Sequence, residues 1–501
     1  MKLRELAELL AIVRTEGDMD VEITGFSMHT RTLRAGELFV CVPGIAGFQE
    51  DRHPFAGEAV RAGAAALVAE RDVNLDVPTV IVPDARYAMA VMACHFYGYP
   101  SSNMKLIGLT GTNGKTTTAH MIEAVFAHAG YRTGLMGNIG TKIGSVMVET
   151  DMINTKEPHK LQASLSIMRD HRTEYGIMEV TSQGLDMGRV LGCEFRTAVF
   201  TNMTQDHLDY HGTMDRYREA KGLFFSRMGN GFSSDPAKRK FAVLNRDDPA
   251  SDYFRKVTPA QVLTYGVTRE ADVMAKNIRL TAQGTGFELV TFAGTTPMKL
   301  RMVGAFNVYN ALAAVACALA EGVPLEVIRA GLEQLQGVPG RMEIVDEGQD
   351  FLVLVDYAHT PDGLDNALAA VKQFAEGSII TVFGCGGNRD RSKRSVMGKL
   401  AAKYSDYVVV TSDNPRSEEP ERILEDIGRG LEEAGTDENR YELAADRRKA
   451  ISRAVERAAP GDIILIAGKG HETYQILKDG TVHFDDREEA RQAIRHKGGK
   501  A

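Results

Sequence analysis

The segment "KLIGLTGTNGKTT", Lys105 to Thr117, constrains this chain more than any other. An apolar run ends in a glycine-framed loop, and a lysine and two threonines then open a helical pattern. Strand, loop and helix in that order aim backbone N–H groups at phosphate oxygens. The candidate phosphate-binding residues are Gly111, Thr112, Asn113, Gly114, Lys115, Thr116 and Thr117. Lys115 is placed to reach the β- and γ-phosphates, and Thr116 or Thr117 offers a hydroxyl to Mg2+. The glycine spacing is shorter than in the commoner G-x-x-x-x-G-K-[ST] loop. The context implies a parallel α/β sheet beneath the loop.

The neighbouring sequence agrees. "KLIGL", "GIMEV" and "AVFTN" are short apolar runs separated by helical patterns, one of them Thr117–Ala129 ending at Gly130. That alternation predicts a doubly wound, mostly parallel sheet over residues 98–335. Between Asp272 and Val303 the pattern alternates with glycine turns, as antiparallel strands do, and "NVYNALAAVACALAEG" reads as a helix ending at Gly322. Residues 1–97 read as a small α/β unit that opens with an amphipathic helix, and "YGYPSSNMK" (Tyr97–Lys105) reads as a linker. Residues 336–501 repeat one device four times: "FLVLVD", "SIITVF", "YVVVT" and "IILIA" each run into a polar loop. Ligands of open parallel sheets sit at the carboxyl ends of strands, so four such loops predict one site on a Rossmann-like sheet. The expected fold class is α/β in three domains: 1–97, 98–335 and 336–501.

Composition excludes several functions. A net charge of −8 offers no basic excess for nucleic acid. The five cysteines are scattered and form no C-x-x-C pair, which fits free thiols in a reducing compartment. "MKLRELAELL" carries charges among its leucines and is not a signal peptide, and no apolar run is long enough to span a membrane. A cytoplasmic monomer is expected.

Three further places carry chemistry. Glu179 ends the apolar run "GIMEV", where a carboxylate beside the phosphate loop suits Mg2+. Asp206, His207, Asp209 and His211 cluster in "FTNMTQDHLDYHG", a spacing that fits a capped loop or a metal site. Lys221 stands among Ala220, Leu223 and Phe224 in a helical pattern; on the residues alone it reads as a surface lysine.

In order along the chain, "GTNGKTT", "FTNMTQDHLDYHG…YREAK", "GAFNVYNALAA", "GRME", "VDYAHTPD" and "DNPR" resemble the Mur ligase family, over about residues 20–490. Within it, the match is to members that add meso-diaminopimelate. The resemblance implies a UDP-precursor-binding domain, a central ATP-binding domain and a C-terminal domain bringing the amino acid. It implies that ATP phosphorylates the D-glutamyl carboxylate of UDP-N-acetylmuramoyl-L-alanyl-D-glutamate and that the amine attacks the acyl phosphate. By the same resemblance Lys115, Glu179, His207 and Lys221 form the catalytic set, with Lys221 carbamylated and, together with Thr116, Glu179 and His207, on Mg2+. Asn307, Arg341 and Asp356 are implied in nucleotide binding. Thr30, Asn154, Thr155, Thr181 and Arg189 are implied in holding the UDP-muramoyl-dipeptide. Arg389, Asp413, Asn414, Pro415, Arg416, Gly468 and Glu472 are implied in the diaminopimelate pocket.

The chain departs from the family pattern at His29, Lys156, Gln183, Met187 and Asn388, mostly around the acceptor, which leaves room for a modified acceptor. Other readings are a lysine-adding ligase, a folylpolyglutamate synthase, or a non-catalytic binder of the precursor. Residues 1–97 and "DNPR" disfavour the folate enzyme, and the intact catalytic set disfavours the binder.

Overall fold

The computed structural model describes residues 1–150 and 153–499. The chain forms two compact units. The first contains Met1–Met274, Thr291–Ala293 and Tyr309–Gly331, and the second Ala275–Val290, Gly294–Val308 and Leu332–Ala501.

The first unit begins with a five-stranded sheet, ordered Arg14–Glu16, Thr79–Ile81, Ala66–Ala69, Glu37–Val40 and Gly25–Ser27. Only Arg14–Glu16 runs antiparallel to its neighbour. The expected N-terminal helix is short, Leu3–Ala7. Leu3, Leu6 and Ala7 are buried, but the leucines after them do not extend the helix, and the chain turns towards the strand at Arg14. The linker-like "YGYPSSNMK" holds a short 3-10 turn at Pro100–Asn103.

The second sheet of this unit carries the phosphate loop. Six parallel strands lie in the order Gln261–Gly266, Phe241–Asn245, Phe195–Phe200, Lys105–Thr110, Tyr175–Glu179 and Thr133–Gly137, followed by the antiparallel pair Gly140–Ile143 and Val146–Glu149. Lys105–Thr110 is central, so the loop leaving it is flanked by the chain leaving Glu179 and by the chain leaving Phe200. The strands Tyr175–Glu179, Phe195–Phe200 and Phe241–Asn245 are buried along their whole length, as covered parallel strands must be. This is why they read in the sequence as unbroken apolar runs.

The second unit holds the strands Gly284–Thr291 (to Val290) and Gly294–Leu300, and a six-stranded sheet. That sheet is ordered Glu343–Val345, Leu352–Asp356, Ile463–Ala467, Ile379–Phe383, Tyr407–Thr411 and Tyr441–Ala444. All but the first run parallel. The last apolar run in sequence, Ile463–Ala467, therefore inserts between Leu352–Asp356 and Ile379–Phe383. Four polar loops are delivered to one edge, as expected. Among the described residues, no helix is long and apolar enough to cross a membrane.

Candidate functional site

In the first unit, the phosphate loop is held open by its neighbours. The helix starts at Lys115, two residues before the sequence pattern placed it, with Gly114 as N-cap at φ +82° and no side-chain cap on its first N–H groups. A side chain at Gly114 would overlap Asn310 Oδ1, which itself accepts from Thr118 Oγ1 at 3.1 Å. A Cβ at Gly111, φ +153°, would overlap Thr201 Oγ1. The segment after Phe200 braces the loop. Thr201 Oγ1 and Asn202 Nδ2 donate to Asn113 O at 2.7 and 3.1 Å, and Asn113 N donates to Asn202 Oδ1 at 2.9 Å. Thr112 Oγ1 lies 3.1 Å from the Tyr217 hydroxyl. Lys115 Nζ folds back onto Gly111 O and Thr112 O at 2.9 and 2.8 Å.

The carboxylate expected beside this loop is there. Glu179 is buried, and its Oε1 accepts from Thr116 Oγ1 at 2.8 Å and Asn138 N at 3.1 Å. Its second oxygen has no partner among the described residues. Lys221 is not the surface lysine its residues alone suggested: it is 1% exposed, on the buried face of the helix Met214–Ser226. Its Nζ lies 4.4 Å from the centre of the Tyr217 ring and makes no hydrogen bond or ion pair among the described residues. Burial, and then the charge of Lys115, push its pKa well below that of an ordinary lysine, and Asp206 only partly opposes this. Burial also lowers the pKa of His207, with Lys115 and Lys221 adding to the effect and Asp206 opposing it. His207, Lys115 and Lys221 thus sense one another's charge. Of the companions in the cluster, His211 is turned to Ser182 Oγ at 2.9 Å.

Among the described residues, no group of three His, Cys, Asp or Glu could hold a metal ion. Glu179 and the Thr116 hydroxyl are hard oxygen donors hydrogen-bonded to each other, His207 offers an imidazole nitrogen in the field of Lys115 and Lys221, and a neutral Lys221 is the group that CO2 converts into a further anionic donor. The residues therefore fit Mg2+ if Lys221 is carbamylated.

Of the residues expected to hold the muramoyl-dipeptide, Thr155, Thr181 and Arg189 gather at the end of the same strand. Thr155 Oγ1 donates to Glu179 O at 3.2 Å and accepts from Thr181 N and Thr181 Oγ1 at 2.9 and 3.1 Å. Arg189 reaches Thr155 O at 3.2 Å and pairs with Glu157 at 2.9 Å, and Glu157 also pairs with Arg86. Asn154 has a buried Oδ1 with no hydrogen-bond partner among the described residues. Thr30 follows the strand Gly25–Ser27 and is half-buried. Lys156 is buried, and its ammonium is held by Glu149, by Thr141 Oγ1 at 3.1 Å and by Ser164 Oγ at 3.0 Å. That departure is thus a structural ion pair. Met187 closes the short helix Ser182–Asp186 as a buried apolar residue, while Gln183 is half-buried and its side chain makes no hydrogen bond among the described residues.

In the second unit, the loops after Phe383, Thr411 and Ala467 converge. Asn414 is the centre of the cluster. Its Nδ2 donates to Glu472 Oε2 at 3.0 Å, and its Oδ1 accepts from Lys469 Nζ at 3.2 Å and Ile476 N at 2.9 Å. Arg416 sits at φ +55°, with Nη1 donating to Gly387 O at 3.0 Å and Asn414 O at 3.4 Å. Its Nη2 and Nε have no partner among the described residues, and it pairs with neither Glu418 nor Glu419. A Cβ at Gly468, φ +119°, would stand 3.1 Å from Asp413 Oδ2. Pro415 O packs against Gly387, and Arg389 is exposed on the neighbouring loop. Asn388, a departure from the family pattern, takes a left-handed conformation that asparagine tolerates, φ +53°, and its Oδ1 accepts from Ser417 Oγ at 2.8 Å.

Elsewhere in this unit, Asp356 accepts from Met342 N and Ala358 N, at 2.8 and 2.9 Å. Burial raises its pKa against the opposing charge of Arg341, whose guanidinium lies 5.1 Å from the centre of the Tyr357 ring. Asn307 is fully buried, with Nδ2 on Val303 O at 2.8 Å.

Sequence reasoning missed the supports: Thr201, Asn202, Asn310 and Tyr217 around the phosphate loop, and Lys469, Arg447 and Asp486 in the second unit. Arg447 and Asp486 form a fully buried pair at 2.7 Å, from which Arg447 also reaches Ser412 O and Ala467 O, the residues just before Asp413 and Gly468. The polar loop after "IILIA" is the one that holds Lys469. Nothing in the local sequence around Arg447 pointed to its role.

Comparison with known proteins agrees with this geometry. The family model for the Mur ligase middle domain matches residues 109–318, and that for the Mur ligase glutamate ligase domain matches residues 340–470. Two similar relatives carry the name UDP-N-acetylmuramoyl-L-alanyl-D-glutamate–2,6-diaminopimelate ligase. That of Geobacillus thermodenitrificans is 49% identical over 99% of this chain and 100% of its own. That of Bacillus velezensis is 49% identical over 99% of both chains. A solved structure of a ligase of the same name superposes with a TM-score of 0.69 at 32% identity, over 99% of each chain. The phosphate loop, the carboxylate beside it and these full-length matches agree: the chain belongs to the Mur ligase family of ATP-dependent ligases.

Proposed function

We propose that this ligase joins meso-diaminopimelate to the D-glutamyl carboxylate of UDP-N-acetylmuramoyl-L-alanyl-D-glutamate, a step of peptidoglycan precursor synthesis. The observation that carries the choice of amino acid is the pairing on Asn414: a guanidinium with one edge open, and a carboxylate anchored through one oxygen. Together they suit an amino-acid end bearing both a carboxylate and an ammonium. Arg416 and Arg389 would take the carboxylate, and Glu472 the ammonium, with Asp413, Pro415 and Gly468 shaping the pocket.

The chemistry answers a specific difficulty. A carboxylate repels nucleophiles and has oxide as its leaving group. Transfer of the γ-phosphoryl group breaks its bond to ADP and forms one to a glutamyl oxygen. Attack by the amine then forms the C–N bond, releases phosphate and gives up a proton. The residues Gly111–Thr117, Lys115 among them, hold the phosphates from the uncapped helix start. Thr30, Asn154, Thr155, Thr181 and Arg189 hold the precursor. Lys221, whose burial favours the neutral amine, adds CO2 at Nζ and loses a proton to become a carbamate. Glu179, His207, Thr116 and that carbamate would hold Mg2+, which supplies positive charge against the phosphate oxygens. Residues 1–97, 98–335 and 336–501 form the precursor, ATP and amino-acid domains of a cytoplasmic monomer.

ADP release with the UDP-muramoyl-dipeptide and a panel of amino acids tests this. Turnover with meso-diaminopimelate far above that with lysine or other amino acids is expected. Equal or better turnover with lysine would overturn the choice of amino acid.

A further inference from the structure

We infer that Lys469 is a positioning residue for amino-acid binding: its buried ammonium fixes which way the Asn414 amide faces and holds Glu472 by one oxygen, leaving the other for the substrate ammonium. The inference rests on the reading of this sheet edge as the amino-acid site.

Lys469 is fully buried, with 0% exposure. Its Nζ donates to Asn414 Oδ1 and Glu472 Oε2, both at 3.2 Å, and lies 3.9 Å from Asp413 Oδ1. A lysine ammonium has donors and no acceptor, so it can face only the oxygen of an amide. The backbone N–H of Ile476 meets the same oxygen at 2.9 Å. Asn414 Oδ1 is therefore saturated by two donors, and its NH2 group must lie on the other side, where it donates to Glu472 Oε2 at 3.0 Å. Both fixed contacts fall on Oε2, and Glu472 Oε1 has no partner among the described residues. A carboxylate gripped at one oxygen presents the other in a set direction. The same Asn414 contributes its backbone oxygen to Arg416 Nη1 at 3.4 Å, and Ile476 O accepts from Arg416 N at 3.0 Å. The ammonium of Lys469 thus orients the carboxylate directly, and it fixes the residue from which the guanidinium is also hung.

The charges favour the same ligand. Lys469 stands against two carboxylates, Asp413 and Glu472, while the buried Arg447 is matched by Asp486. With Arg416 counted as well, cations and carboxylates at this edge balance, which suits an incoming group that is itself a carboxylate and an ammonium. Without Lys469, two carboxylates would face each other across Asn414, and only the backbone N–H of Ile476 would hold the direction of its amide.

The test is steady-state kinetics of the full-length enzyme with Lys469→Met, Glu472→Gln and the double variant. Lys469→Met should raise KM for the amino acid by about ten- to a hundredfold, the scale of a lost charge-assisted hydrogen bond. KM for ATP and for the UDP precursor, and kcat at saturating amino acid, should stay within about threefold, well under the tenfold that 1.4 kcal/mol represents. Because Lys469 acts through Glu472, the double variant should bind the amino acid no worse than Glu472→Gln alone. An unchanged KM, losses that multiply in the double variant, or a parallel fall in every parameter would overturn the inference. If Lys469→Met does not yield folded protein, the same cycle with Asn414→Ala and Glu472→Gln decides: losses that do not multiply support the shared hub, and independent losses overturn it. A wild type that does not use meso-diaminopimelate would instead refute the reading of the site, since the cycle is read on whichever amino acid the wild type accepts.

Discussion

Replacing Arg416 with alanine should remove most of the preference for diaminopimelate over lysine. The two amino acids differ at the far end, where only diaminopimelate carries a carboxylate. Arg416 is already anchored through Nη1 to Gly387 O and Asn414 O, so its Nη2–Nε edge is presented without further ordering. That edge offers two parallel N–H donors, the geometry that matches a carboxylate. Breaking one side of a buried ion pair costs about 3–5 kcal/mol. Arg416 is only half-buried, so the low end applies, about 3 kcal/mol, or roughly a hundredfold in kcat/KM. Arg416→Lys keeps the charge and loses the fork, and should fall between the two. The assay is kcat/KM for diaminopimelate and for lysine, in wild type and both variants. A hundredfold loss confined to diaminopimelate is expected. A selective Arg416→Ala enzyme would refute the assignment and move the selectivity to another residue.

Three further outcomes are expected. Lys221→Ala should nearly abolish ligation and be partly restored by short-chain carboxylates. Because burial and Lys115 depress the lysine pKa, the neutral amine that adds CO2 persists to lower pH, so wild-type activity lost on mild acidification should return with added bicarbonate; near-wild-type turnover by the alanine variant would sink the metal-site reading. Gln183→His should alter turnover by less than about tenfold, since an amide that only hydrogen-bonds does no proton transfer; a thousandfold loss would show a site rebuilt around glutamine. Burial raises the Asp247 pKa, but the N–H groups of Val267, Thr268 and Arg269 outweigh it and bring it down to about 2. Its stabilisation is therefore complete above the ordinary aspartate range and lost as pH falls from about 4 towards 2. After discounting for partial exposure, Asp247→Asn should cost about 1 kcal/mol at pH 7 in urea unfolding and flatten the acid limb, and an unchanged acid limb would count against it.

How much of this was legible in the sequence depended on whether the signal was local. "LVLVD", "IITVF", "YVVVT" and "IILIA" are buried on both faces and announce themselves as apolar runs. Tyr441–Ala444 is the fifth parallel strand of the same sheet and was missed, because an edge strand is half-exposed and reads as "YELA". The antiparallel hairpin Tyr474–Leu477 and Gly480–His483, one strand of which is fully exposed, was missed for the same reason. The N-terminal leucines promised a longer helix than the chain forms, since tertiary packing at Leu3 and Leu6 overrides periodicity further on. Lys115 and Glu179 could be read from strand, loop and helix order. The burial of Lys221 could not, because a helix with Lys beside Ala and Phe looks alike whether that face meets water or a sheet. Lys469 and Arg447 act through partners tens of residues away, at Asn414 and Asp486 respectively, a relation only the fold establishes.

The most direct test of the central claim, that ATP is spent on activating a carboxylate, tracks oxygen rather than activity. With the D-glutamyl carboxylate of the precursor labelled with 18O, ligation through an acyl phosphate requires one labelled oxygen to leave with phosphate at each turnover. Mass spectrometry of the released phosphate should therefore show one 18O per molecule formed, in step with the amide product. Unlabelled phosphate, with amide product still accumulating, would contradict it.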